Sequence, residues 1–241
     1  MATKASDEKT NEWEEHLDEL RRRIIAALVV FSAATLAAFF FSDRIANFLM
    51  SPVSGLGVTL YTFSPSEKFM TYLRLAVWTG LVVSAPFFLL QSGAFIWPAL
   101  RGNERKYAAA TLSVVPALFL VGAGLAYRLL APVVLGFFLS FGSGDAIQPL
   151  WGLREYLTLL SGMMIAAGLL LQSPLLLFLS FILGVTTPKK VARLRPHVIL
   201  LIFFAAAICT PPDVISQIAL GVPLYLLFEL TLLFGKFLKK D

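Results

Sequence analysis

LAVWTGLVVSAPFFLLQSGAFIWPAL, Leu75 to Leu100, is a run of 26 residues without one charge. About 20 apolar residues in a helix cross the hydrocarbon core of a bilayer. The pattern recurs along the chain, which gives six expected spans at about 24–42, 75–98, 107–138, 156–184, 196–210 and 214–235. Each must be helical, because lipid offers no partner to open backbone groups. Composition agrees. Hydrophobic residues make up 58% of the 241 and charged residues 15%, and mean hydropathy is +0.78. A soluble domain carries about 25% charged residues. The expected fold is therefore an all-α integral membrane protein of six transmembrane helices.

Lysine and arginine set the orientation. One side of the membrane receives the N-terminal tail, the second and fourth loops and the C-terminus. Those segments hold Lys4, Lys9 and Arg21 to Arg23, then Arg101, Arg105 and Lys106, then Lys189, Lys190, Arg193 and Arg195, then Lys236, Lys239 and Lys240. The other side holds Arg44, Lys68, Arg74, Arg128 and Arg154. Fifteen against five puts both termini in the cytoplasm by the positive-inside rule. The net charge of +5 is then an orientation signal. With no basic domain outside the membrane, it does not point to nucleic acid. The acidic start after Met1 lacks the pattern of a cleavable signal peptide.

Residues 1–10 are expected to be disordered. From Glu12 to Arg23, Trp13, Leu17, Leu20 and Ile24 recur at helical spacing, so this segment is expected as an amphipathic helix on the cytoplasmic surface. The outer loops at 43–71 and 140–155 are rich in breakers, Pro52 among them, and together can form an extracytoplasmic cap. Residues 236–241 form a basic cytoplasmic tail. The fifth span is short, about 21 Å against a core of about 30 Å. The turn before Asp213 is minimal. The last two helices are expected either to thin the bilayer or to pack as a hairpin against longer neighbours.

Few polar groups lie within the spans. Gln172 lies midway along the fourth, just before Pro174, which should kink the helix. Glu229, Asp213 and Gln217 belong to the sixth. Each is either a satisfied bundle contact or a group facing a wet cavity or a partner. Two cytoplasmic acids share one face of the membrane, Glu19 beside Leu20-Arg21 and Glu104 beside Arg105. A carboxylate matches the fork of a guanidinium, so the pair fits two arginines of a basic peptide. The competing reading is two surface acids neutralised by basic neighbours. Metalloprotease, serine-hydrolase and nucleotide-loop motifs are absent, and His16 and His197 have no plausible metal partner. No catalysis, cofactor or metal is expected. A small-solute transporter would place ionisable groups at the midplane, where Gln172 stands nearly alone. A lipid-organising scaffold is the third class.

Several motifs occur in order. They are HLDELRRR (16–23), SAP (84–86), AFIWPAL (94–100) followed by Glu104-Arg105, Arg195-Pro196, TPPDVISQ (210–217) and PLYLLFE (223–229). In these the chain resembles the TatC family, the polytopic subunit of the twin-arginine protein translocase, from about Trp13 to Lys236. The resemblance implies Sec-independent transport of folded proteins across the bacterial cytoplasmic (inner) membrane, driven by the proton-motive force. It implies a glove-like bundle with a concave face and short fifth and sixth helices. It implies a signal-peptide site at Glu19 and Glu104, supported by Leu20, Arg21, Pro52, Phe95, Pro98, Arg105 and Asp213, with Gln172 along the concave face. It also implies single-span TatA/TatB-type partners meeting the fifth and sixth helices near Thr210 and Gln217 in a multimeric complex. Many family members carry Glu where this chain has Gln172, and Gln cannot titrate.

Overall fold

A computed structural model describes the backbone of residues 2–96, 103–140, 150–210 and 214–238, with the side chains of 2–16, 96, 103, 104 and 238 left aside. The first helix, α1 (Ala2–Phe40), is one piece of 39 residues, about 58 Å long. This corrects two expectations. Residues 2–10 are helical, and the tail helix continues straight into the first span. The reason is local: no glycine or proline interrupts residues 2–40, and a helix bends sharply only at such residues or at a local defect.

The outer loop after α1 also differs from expectation. It contains a second helix, α2 (Ser42–Ser54), with Ala46, Leu49 and Val53 buried and Pro52 inside its last turn. Proline removes the N–H that Phe48 O would otherwise receive. Tyr127 makes up the loss: its hydroxyl donates to Phe48 O at 2.6 Å and lies 2.7 Å from Ser51 Oγ. The Tyr127 ring also stacks on Phe48, 4.7 Å between centroids. Tyr156 Oη donates to the next carbonyl, Leu49 O, at 2.6 Å. Strand β1 (Leu60–Tyr61) pairs in parallel with β2 (Trp151–Gly152). The two outer loops thus meet, as the cap expectation required.

The second span, α3 (Glu67–Ile96), starts earlier than its apolar run, because the Glu67 carboxylate accepts the Phe63 and Ser64 N–H groups ahead of it. α1 lies along α3 at a crossing that needs Gly80, where a Cβ would come within 2.8 Å of the Thr35 backbone. The third span is α4 (Asn103–Leu125), a π-helical turn (Ala126–Leu130) and α5 (Ala131–Ser140). The fourth is α6 (Leu153–Leu170) and α7 (Ser173–Ile182), broken at Leu171-Gln172. A short α8 (Pro188–Arg193) precedes α9 (Arg195–Cys209) and α10 (Val214–Leu238).

Among the described residues, five helices are long and apolar enough to cross a membrane, and α9 is a shorter apolar helix. At 15 residues α9 is short, as expected. At 25 residues α10 is not. Its apolar surface runs past Glu229 without a break, so the single acid does not end the helix. One part of the core forms where the π-helical turn, α5, α6, α9 and α10 meet, around Leu130, Leu171, Leu220 and Leu224. α1 leans on α3 at one side of the bundle, and α9 on α10 at the other. Leu200, Phe204, Ile208 and Leu226 are exposed along that second side, as lipid contact requires.

Candidate functional site

Glu19 sits one helical turn before Arg23 on α1. Arg23 Nε and Nη2 both donate to Glu19 Oε1, forming an ion pair with side chains 23% and 27% exposed. The same guanidinium reaches across to α3. Nη1 donates to Gln91 Oε1 at 2.8 Å and Nη2 to Ala94 O at 3.2 Å. Arg23 therefore ties the acid-bearing turn of α1 to the last turns of α3. Phe95 follows directly. The chain then needs only residues 97–102 to enter α4, whose first turn carries Glu104 and Arg105. Glu19 and Glu104 therefore belong to the same end of the bundle. Leu20 and Arg21 are exposed beside Glu19, and Arg105 is exposed on α4. Pro98 and the Glu104 side chain lie outside the described residues.

Arg23 is the residue that sequence reasoning passed over. Its signal was present, since Glu19 and Arg23 stand at i and i+4 and face one another on a helix. Three consecutive arginines concealed which one turns toward α3.

Pro52 is not brought to this cluster. It lies on α2, beyond the far end of α1, and Glu19 is about 34 Å along that helix from Ser42. What it shapes locally is the docking of α2 on Tyr127.

Gln172 is 6% exposed and fills the break between α6 and α7. Its backbone N–H bonds Leu169 O, a tighter turn that leaves Gly168 O without its usual donor. Gln172 Nε2 supplies one at 3.3 Å and also reaches Val115 O on α4 at 3.3 Å. Two carbonyl neighbours fix the amide with its nitrogen toward them. Pro174 frees Leu170 O in the same way, and Ser173 Oγ donates to it at 2.8 Å. Gln172 Oε1 is buried and has no partner among the described residues.

On the last two spans, Gln217 Nε2 donates to Phe203 O at 2.7 Å, binding α10 to α9. Thr210 Oγ1 donates to Ala206 O in its own helix. Asp213 lies outside the described residues. Glu229 is a satisfied bundle contact, accepting from Arg195 Nη2 at 2.7 Å and from Tyr225 Oη at 3.0 Å. An apolar cleft of about 410 Å³ opens between α7, α9 and α10, lined by Pro174, Leu177, Ile202, Leu224 and Phe228. Among the described residues no three His, Cys, Asp or Glu side chains gather as a metal site would require.

Known proteins resemble this chain in sequence and fold. A family model described as Sec-independent protein translocase protein (TatC) matches residues 15–223. The Sec-independent protein translocase protein TatC of Carboxydothermus hydrogenoformans is 30% identical over 226 residues, covering 93% of each chain. Its counterpart in Magnetococcus marinus is 34% identical over 226 residues, 92% of this chain and 83% of its own. That of Escherichia coli is 30% identical over 225 residues, 92% and 87%. A crystal structure of the twin-arginine translocase receptor TatC superposes with a TM-score of 0.78 at 30% identity, covering 91% of this chain and 99% of that one.

Proposed function

Because this chain belongs to the TatC family of Sec-independent protein translocases, we propose that it is the subunit that captures twin-arginine signal peptides for transport of folded proteins. It is a multi-pass membrane protein and a translocase component. In the proposed mechanism Glu19 and Glu104 each receive one arginine on the cytoplasmic side, where both chain termini lie. The carrying observation is that a guanidinium is already well bound at Glu19, held by a carboxylate, an amide oxygen and a carbonyl. Three acceptors set around one planar guanidinium suit arginine better than lysine. Leu20, Arg21, Phe95 and Arg105 belong to the same end, with Pro98 as a further contact; Asp213, which precedes α10 at the opposite end of the bundle, is a contact for a later part of the peptide's path.

The peptide's apolar segment then enters the membrane toward Gln172. Single-span TatA/TatB-type subunits dock on α9 and α10 near Thr210 and Gln217, where Ile208, Val214, Ile215 and Ile218 are exposed apolar side chains. The proton-motive force supplies the energy, and the subunit itself performs no catalysis. A transporter reading fits less well, since the donors of Gln172, the polar group at mid-span, are engaged with the protein's own carbonyls.

The test is site-specific photocrosslinking from positions 17 and 107, exposed neighbours that leave Glu19 and Glu104 in place, in native membranes, with an Arg-Arg signal peptide against a Lys-Lys control. Crosslinks are expected only with Arg-Arg, and Glu104→Lys should abolish them while the protein remains inserted. Wild-type crosslinking in that variant would remove the binding assignment.

A further inference from the structure

Arg23 donates twice to a single oxygen of Glu19, Oε1, instead of gripping both oxygens side by side. Its remaining donors go to a different helix, to Gln91 Oε1 and Ala94 O on α3. An ordinary surface pair on one helix would leave both side chains free to swing, and such pairs contribute little. Here the guanidinium is shared among three acceptors on two helices and is three-quarters buried.

We propose that Arg23 is a positioning residue for signal-peptide recognition. It clamps Glu19 by Oε1 against the end of α3 and so sets the direction in which the carboxylate meets an incoming arginine. The inference rests on the receptor reading above and adds to it a residue that never touches the peptide. Its physical content is orientational. A forked contact requires the carboxylate plane to be set, and a long glutamate on an exposed helix turn does not set it alone. Charge gives the opposite expectation, because a cation beside Glu19 should repel a cationic peptide. The two views differ in sign, so experiment separates them.

The measurement is the concentration dependence of crosslinking of an Arg-Arg and a Lys-Lys signal peptide to the full-length protein in native membranes with its partner subunits. Arg23→Lys keeps the charge but lacks the fork needed to hold Glu19, Gln91 and Ala94 together. It should weaken Arg-Arg binding by about tenfold, the value of one well-oriented hydrogen bond to a charged group. The preference for Arg-Arg over Lys-Lys should fall with it. Gln91→Leu leaves Arg23 in place, removes one anchor, and should move both quantities the same way by less. A general loss of structure would lower both peptides alike and leave their ratio unchanged.

Wild-type affinity and ratio in Arg23→Lys and Gln91→Leu would overturn the proposal. So would tighter Arg-Arg binding in either, the signature of a competing internal arginine. Glu19→Gln, measured in parallel, separates the two layers. If it binds Arg-Arg as the wild type does, the receptor reading itself fails. If it binds weakly while Arg23→Lys is normal, only the positioning role fails.

Discussion

Single carbonyl groups decide much of this structure. Gly168 O loses its helical donor at the α6–α7 break and regains one from Gln172 Nε2. Leaving a buried carbonyl unpaired costs about 1–3 kcal/mol, more than most surface contacts provide. Gln172→Leu has a similar size but no donor. It is expected to lower stability by about 1–2 kcal/mol, read as a fall in the thermal unfolding midpoint in detergent. Gln172→Met should do the same, since it too lacks an N–H. An unchanged midpoint in both would mean that water or a neighbouring group satisfies Gly168 O instead. The sequence already marked Gln172 as polar at mid-span and Pro174 as a kink. It did not assign the amide's direction, because Val115 O comes from a helix 57 residues away. The same limit hid Arg23. Its spacing from Glu19 is legible, whereas its bonds to Gln91 and Ala94 exist only once α1 lies on α3.

At the level of elements, the spans were readable and the cap was only partly so. Charge-free runs coincide with the five helices long and apolar enough to cross a membrane and with the shorter α9, since charge at mid-bilayer is costly. α2 was missed because Pro52 reads as a breaker within the chain's local chemistry. Its helix is completed by Tyr127, contributed by the π-helical turn of the third span. Coupling of this kind predicts non-additivity. Tyr127→Phe should destabilise the protein by about 1 kcal/mol, the typical net worth of such a hydrogen bond. In a Pro52→Ala background residue 52 has its own N–H to offer Phe48 O, so the same change should cost markedly less. A double-mutant cycle on unfolding midpoints measures the difference. Equal costs in both backgrounds would show that the hydroxyl does not compensate for the proline.

Across the whole molecule, the odd feature is the pairing of a short α9 with a long α10. Gln217 on α10 bonds Phe203 on α9, and Thr210 ends α9 just before Val214 begins α10. The two helices are therefore level at the end where they join. The shortfall falls at the opposite end. Arg195, the first residue of α9, pairs with Glu229, about 13 Å short of the α10 terminus at Leu238. α8 fills the space left there. Pro188 and Phe181 pack so closely on Gly235 that a Cβ would meet Phe181 at 2.6 Å. The basic residues Lys189, Lys190 and Arg193 of α8 thus stand at the starting end of a helix only about 22 Å long. If lipid beside α9 thins from that side, these charges stay in water at a cost of fractions of a kcal/mol per Å of mismatch. Reconstitution into phosphatidylcholine bilayers of 14-carbon and 22-carbon monounsaturated chains is the direct check. Thermal stability should be higher in the thin bilayer. Substituting Leu200 or Phe204, exposed on α9, by Ser should narrow the gap between the two bilayers, because it weakens the apolar contact that penalises mismatch. Equal stability in both bilayers would show that tilt of the whole bundle, rather than local thinning, absorbs the short helix.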